Sequence, residues 1–563
     1  MTDMINGDRT PSEPRPFERC EIRKEKPAKV INSPANDEAH KPRLKIENTS
    51  PDRTVAELRR ILANSGKMYD RGGPVAVAYD HAQGGHVASL LTPDALVMVT
   101  HETSRPFAVK EQKDGTFAEA NARFPRALAT MYLDGRGRWG LLPLNGITTS
   151  PLLREDGTII SAPGYDAATG MWLDNPPDLK GLIPDRPTRG DAERALLLIR
   201  EQFKTFCFAD AETVVGPGEI NLVDVTTPPG RDESAFLTAL LAAVCRASLD
   251  FAPAVAMRAA PMSGAGAGKG LLARLICLTA FGSEPCAITA GKDPDELDKR
   301  VGAQLMQGGP TLFLDNLNNV TLKSDLLASV ITERPASVRV LGSSKTVPLN
   351  SLALIIVTGN GLSVAEDLGR RFISINFDAK TEDPESREFK VNIRSEVKDK
   401  RIELLAAILT IWRWGRLESG IKRGKATGSF EQWALWVRDP LLALGCKDPI
   451  ERQAEAKTRD PHRQDIAELF EAWWEFHSDM PVKSAALHDD VTKIIDPQGR
   501  GRQFIASKLG KLDGTRTAGF VLTRQKSDAK WSKASYALKR TGESPAPTKD
   551  APSDAGSIVD IEL

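Results

Sequence analysis

Apolar residues recur at helical spacing in VAELRRILANSG (Val55–Gly66), which predicts a helix stopped by its glycine. From 70 to 175 the pattern changes to short apolar runs broken by Gly, Asp and Pro, as in PLLREDGTIISAPGYDAATGMWLD. That reads as strands and turns, with Asp156-Gly157 as a hairpin candidate. A Pro-rich linker (Pro176–Pro187) precedes two helical stretches, AERALLLIREQFKTF and FLTALLAAVCRASL. The middle of the chain then alternates strands with helices. APAVAMRAA (252–260) is followed by a glycine-rich loop and the helix GLLARLICLTA; CAIT (286–289) by a helix with Leu297, Val301 and Leu305 on one face. Next come TLFLD (311–315), the helix KSDLLASVITER, a hairpin VRVLGSSKTVPL (338–349), and the strands ALIIVTG (353–359) and RFISINF (371–377). Continuous apolar runs bounded by turns are the mark of buried parallel strands, so the expected class is α/β, a parallel sheet with helices on both faces.

Past this region, IAELFEAWWEFHSD, VKSAALHDDVTKII and GRQFIASKLGKL read as three helices, and AGFVLTRQKSDAKWSKASYALKR as a hairpin with a charged tip. Trp473 and Trp474 are expected in the core of that module. Seven segments follow from these patterns: a disordered 1–50, a β-rich domain 51–190, a helical connector or collar 191–250, an α/β core 251–391, a helical region 392–464, a basic module 465–540 and an acidic disordered tail 541–563.

The composition narrows the class. A chain of 563 residues, 41% of them hydrophobic, can bury several cores. It has no apolar run of membrane-spanning length and its first residues carry no apolar signal region, so a soluble, cytoplasmic protein with no membrane partner is expected. Six scattered cysteines without a C-x-x-C pair argue against disulfide frameworks and zinc sites. Net charge is zero, but Gly501–Arg540 holds four Arg and six Lys against two Asp, and the charged residues after it are acidic apart from Lys549. A basic module of that kind suits nucleic-acid phosphates.

The chemistry centres on PMSGAGAGKGLLARLI (Pro261–Ile276). A phosphate-binding loop reads G-x-x-x-x-G-K-[ST], with the last hydroxyl on magnesium. Here Ser263 takes the first glycine position and Gly270 the hydroxyl position. The stretch Ser263, Gly264, Ala265, Gly266, Ala267, Gly268, Lys269 and Gly270 can still turn backbone N–H groups toward phosphate at a helix N-terminus, and Lys269 can reach the β- and γ-phosphates. Asp315 ends a buried strand, where a carboxylate can hold Mg²⁺. Asn360 ends another and can orient a water. Arg370 and Arg371 follow, in the place of an arginine finger that would act on a neighbouring subunit's ATP.

These elements, in this order, resemble the ATPase core of superfamily-3-type AAA+ helicases of phage, plasmid and integrative-element replication. IIVTGNGLSVAEDLGRRFISINFDAKTEDPESREF is similar to that group's sensor and finger block, and ITTSPLLREDGTIISAPGYDAATGMWLD to the segment ahead of its ATPase. The resemblance implies ATP and Mg²⁺ as cofactors and a homo-oligomeric ring, a hexamer. It implies single-stranded and duplex DNA as partners, together with other replication proteins. It also implies a channel hairpin, which puts Lys345 on the translocated strand with Arg339 in support. Two positions depart from the group: Gly270, and Asn316 where many relatives carry a second acid; Glu296 is a substitute for it.

Three helices and a hairpin in 465–540 predict a winged helix, with Arg502, Lys508, Lys511, Arg524, Lys526 and Lys530 facing phosphates. The expected function is therefore an ATP-dependent DNA helicase or translocase of a mobile element. Its rival is an ATP-binding initiator or scaffold with little hydrolysis, which Gly270 and Asn316 keep open. Primase chemistry finds no D-x-D cluster in 70–175.

Overall fold

The computed structural model describes residues 41–541 apart from 48, 81–84, 136, 217–219, 262–264, 290–293, 340–345, 388–390, 426, 453–460 and 526–533. The chain divides into two compact units, 1–66 with 92–140 and 67–91 with 141–563. The stretch expected as one β-rich domain, 51–190, is thus shared between them. The reason is that 92–140 carries helices as well as strands and pairs with the chain ahead of it.

In the first unit, the strand Arg43–Lys45 runs parallel to Arg105–Glu111, which pairs antiparallel with Phe117–Asn121. Helices Pro51–Ala63, Pro93–Thr103 and Arg126–Asp134 pack on one another and on this sheet. Leu44, Leu58, Leu62, Leu96, Phe124 and Tyr132 are sealed inside.

The second unit begins with a meander. Strands 85–90, 74–80, 68–70 and 142–143 lie side by side in one sheet. The Asp156-Gly157 hairpin forms as expected, pairing Leu152 with Ile160 and Leu153 with Ile159. Arg71, buried at 3% exposure, donates to the carbonyls of Leu305 and Met306, which end a helix, and to those of Leu144 and Asn145. Burial pulls its pKa down to about 10. A cation at a helix C-terminus satisfies carbonyls that have no intrahelical donor. Arg71→Met should therefore leave several buried acceptors unpaired and cost ~3–5 kcal/mol, read as a lower urea midpoint. An unchanged midpoint would show that water replaces the guanidinium.

At the centre stands a five-stranded parallel sheet. Its members are β1 (Ala254–Ala259), β2 (Ala287–Ile288), β3 (Thr311–Leu314), β4 (Leu354–Asn360) and β5 (Phe372–Phe377), in the order β2-β3-β4-β1-β5. Val255, Met257, Phe313, Ile356, Val357 and Ile375 are fully buried, which accounts for the unbroken apolar runs of these strands. Helix α1 (Arg231–Cys245) has nearly every residue buried, and its Asp232 and Glu233 are held by Arg452 and Arg200. The antiparallel arms Ala336–Arg339 and Thr346–Leu349 form the expected hairpin.

Near the C-terminus, helices Pro461–His477, Asp489–Ile495 and Arg502–Lys511 share a core with a four-stranded antiparallel sheet. Trp473 is fully buried there, and Trp474 stacks near Phe520 at 4.8 Å. The helix expected over 482–495 is shorter. Val482 and Lys483 pair with Tyr536 and Ser535 instead, and the helix starts after His488, whose ring accepts from the Asp490 N–H. A strand partner distant in sequence outweighs local helical spacing here.

Candidate functional site

Strand β1 leads into the glycine-rich loop, of which Ser263 and Gly264 lie outside the described residues and Ala265 onward within them. Gly268 has φ of 91°, a left-handed conformation that costs glycine little, and from it helix α2 (Lys269–Phe281) starts. The first-turn N–H groups of such a helix, with its dipole, make an anion site. Lys269 is the first helical residue and is only 9% exposed. Burial lowers its pKa from the ordinary lysine value, while Cys207 and Asp315 oppose that shift.

Register brings the other groups to the same end of the sheet. Leu314 on β3 lies opposite Val357 on β4, so the next residues, Asp315 and Thr358, meet. The Thr358 hydroxyl donates to Asp315 Oδ1 at 2.5 Å. Asn360 ends β4 beside Ala259 of β1. Its Oδ1 is buried with no hydrogen-bond partner among the described residues, and its backbone N–H donates to Asn318 Oδ1. Lys269, Asp315 and Asn360 thus gather at the carboxyl ends of three adjacent parallel strands, where ligands of α/β sheets bind.

Asn316 has φ of 62°. Short polar side chains such as asparagine and aspartate tolerate this left-handed conformation better than most residues, so the turn accommodates Asn316 without selecting it over an aspartate. The substitute acid, Glu296, pairs with Lys299 and Arg300 on its own helix.

Two groups that sequence reasoning missed complete the site. Arg274, one turn along α2 from Gly270, donates from Nη2 to Asp315 Oδ2 at 2.9 Å and from Nη1 to the Gly270 carbonyl at 2.9 Å. Its i, i+4 spacing from Gly270 was the available signal. Beside the loop opens a cavity of about 780 Å³, with Leu198, Phe206, Leu222, Leu271 and Ile393 on its apolar walls and Gly266–Gly268 at its edge. That size and lining suit a nucleoside. Arg387 closes on the loop by donating to the Gly266 carbonyl.

The metal expectation at Asp315 meets a carboxylate that is already charge-paired. One oxygen serves Thr358 and the other Arg274, and Gly270 offers no hydroxyl. As placed, Asp315 is paired with a guanidinium while each of its oxygens keeps a lone pair, so a divalent ion there has Arg274 as its competitor. No group of three or more His, Cys, Asp or Glu able to hold a metal occurs among the described residues.

Arg370 is exposed, just past a short helix (Glu366–Gly369), whereas Arg371 is half-buried and its carbonyl accepts from the Ala254 N–H. Arg339 is exposed at the base of the hairpin; its tip, including Lys345, lies outside the described residues. In the C-terminal module Arg502, Lys511 and Arg524 are exposed, while Lys508 is half-buried and donates to the Ile495 carbonyl. Lys526 and Lys530 lie outside the described residues. No helix among the described residues is long and apolar enough to cross a membrane.

No protein-family model and no curated protein matches the chain. Among solved structures, the SCCmec type IV Cch active helicase aligns over 84% of this chain and 97% of its own, at 12% identity and a TM-score of 0.27. A JCV helicase bound to a small acetamide compound aligns over 49% of this chain and 71% of its own, at 13% identity and a TM-score of 0.19. At such scores neither alignment adds weight to a function.

Proposed function

We propose that this chain is an ATP-dependent DNA helicase or translocase of the superfamily-3-like AAA+ kind, working as a homo-oligomeric ring, a hexamer, in replication of a mobile genetic element. The observation that carries the reading is the meeting of Lys269, Asp315 and Asn360 at one sheet end beside a nucleoside-sized cavity. ATP places its base in that cavity and its phosphates on the N-terminus of α2. Lys269 neutralises the β- and γ-oxygens, and Asn360 orients the attacking water. Arg370 reaches the γ-phosphate of the next subunit as the transition state forms. A divalent ion, when bound, supplies further charge neutralisation at the β- and γ-phosphates.

For DNA, the hairpin carrying Arg339 and Lys345 lines the ring's channel. The 465–540 module is a winged helix, with Arg502, Lys511 and Arg524, together with Lys526 and Lys530, on the phosphates. Lys508 joins them with an ammonium that already serves the Ile495 carbonyl. The two DNA-binding surfaces separate by experiment. The double variant Arg502→Ala, Lys511→Ala should weaken duplex binding and flatten its log–log salt slope by about 0.9 for each phosphate no longer neutralised. Single-strand-stimulated turnover should survive it, and Lys345→Ala should do the reverse. The opposite pattern would move DNA sensing to the C-terminal module.

A second reading is an ATP-assembled initiator or scaffold with little hydrolysis, favoured by the Arg274–Asp315 pair and by Gly270. A forked-duplex unwinding assay with ATP, run beside a particle-mass measurement, separates the two. Helicase action predicts ring-sized particles and strand release. Rings that bind ATP and release no strand would support the scaffold.

A further inference from the structure

The Asp315 carboxylate is only 8% exposed, and its Oδ2 is bound to the Arg274 guanidinium. Gly270 is what makes room for that guanidinium. A Cβ on it would fall 2.8 Å from Arg274 Nη1 and 3.3 Å from Asp315 Oδ1. A side chain at 270 and the guanidinium in this position therefore exclude each other, and the flexible guanidinium is the one that yields. Arg274 already faces a second acid. Its Nε is 3.8 Å from Glu284, its side chain is 23% exposed, and it lies 5.1 Å from the Phe313 ring, an apolar face along which it can turn. Glu284 is in turn 3.6 Å from Arg394, which lines the nucleoside-sized cavity.

We infer that Arg274 is a cation latch: its guanidinium and a divalent ion are alternative partners of Asp315, and Glu284 receives the guanidinium when the ion enters. Two cations cannot share one nearly buried carboxylate without repulsion that solvent does not screen. In the latched form the site is electrically satisfied by the protein itself, so diphosphate binding gains little from added metal. Arg394 ties the latch to the cavity, because it shares Glu284 with Arg274. Arg274 is on this account a positioning residue for Asp315 and not a group that touches phosphate.

The inference rests on the proposed nucleotide site, and its test avoids turnover. ADP affinity of the full chain is measured by calorimetry in chelator and in excess Mg²⁺, and the ratio of the two affinities is compared among variants. Arg274→Gln should raise that ratio on the order of tenfold, the scale of one charge-assisted hydrogen bond removed from competition. Gly270→Ser should raise it too, by pushing the guanidinium off and adding a hydroxyl. Glu284→Gln, an exposed change with little bearing on folding, should lower it by removing the alternative seat. An unmoved or lowered ratio in Arg274→Gln, or a raised one in Glu284→Gln, overturns the latch alone. Failure of the parent chain to bind ADP in either condition overturns the nucleotide site, and the latch with it.

Discussion

Replacing Lys269 by alanine is expected to abolish ATP binding in any practical range, raising the Kd by about a hundredfold or more. The lysine is the first residue of α2, nearly buried, and its ammonium is the charge the loop presents where the helix N-terminus faces phosphate. Desolvation already depresses its pKa, so the folded site is holding a cation at some cost, and a phosphate recovers that cost on binding. Truncation to alanine also removes an unfavourable burial, so the fold should survive with an unchanged circular-dichroism spectrum. The measurement is titration of a fluorescent ATP analogue. Affinity equal to that of the parent would show that the glycine-rich loop is only a tight strand-to-helix turn.

Arg370→Ala should leave ATP binding near the parent value and lower hydrolysis by about 10³–10⁵ in a fully engaged ring. The side chain is exposed at the end of the short helix ahead of β5, as a group serving a neighbour's site must be. Arg371 is half-buried, with its carbonyl fixed to β1, so Arg371→Ala should disturb packing and show a smaller, less specific loss. Mixed assemblies give the sharper test. Arg370→Ala subunits mixed with Lys269→Ala subunits should regain part of the turnover, since each supplies the half of a shared site that the other lacks. Mixtures as inactive as their components would argue against catalysis across a subunit boundary.

How much of this could be read from the chain alone follows the range of the interactions involved. The strand, loop and helix around Lys269 were legible because they are contiguous, and Gly266 and Gly268, both left-handed, mark the turn between them. Asp315 and Asn360 were legible as polar residues ending apolar runs. What joins them was not: the Thr358–Asp315 bond depends on the register of two strands and links residues 43 apart. Asn316 reads as a lost acid in the sequence, and its left-handed backbone, which suits short polar side chains, needed the structure. The cavity walls come from Leu198, Phe206 and Ile393, brought together from distant parts of the chain, and no local pattern announces that. Arg274 was within reach, one turn from Gly270, but its meaning needed the position of the carboxylate it holds.

Steady-state ATP hydrolysis by the full chain, with and without single-stranded DNA, tests the central claim most directly. The account predicts turnover that single strands stimulate, that Lys269→Ala eliminates, and that Arg370→Ala lowers without loss of nucleotide binding. Tight ATP binding with no turnover in either condition would contradict it, and would leave a nucleotide-assembled scaffold in its place.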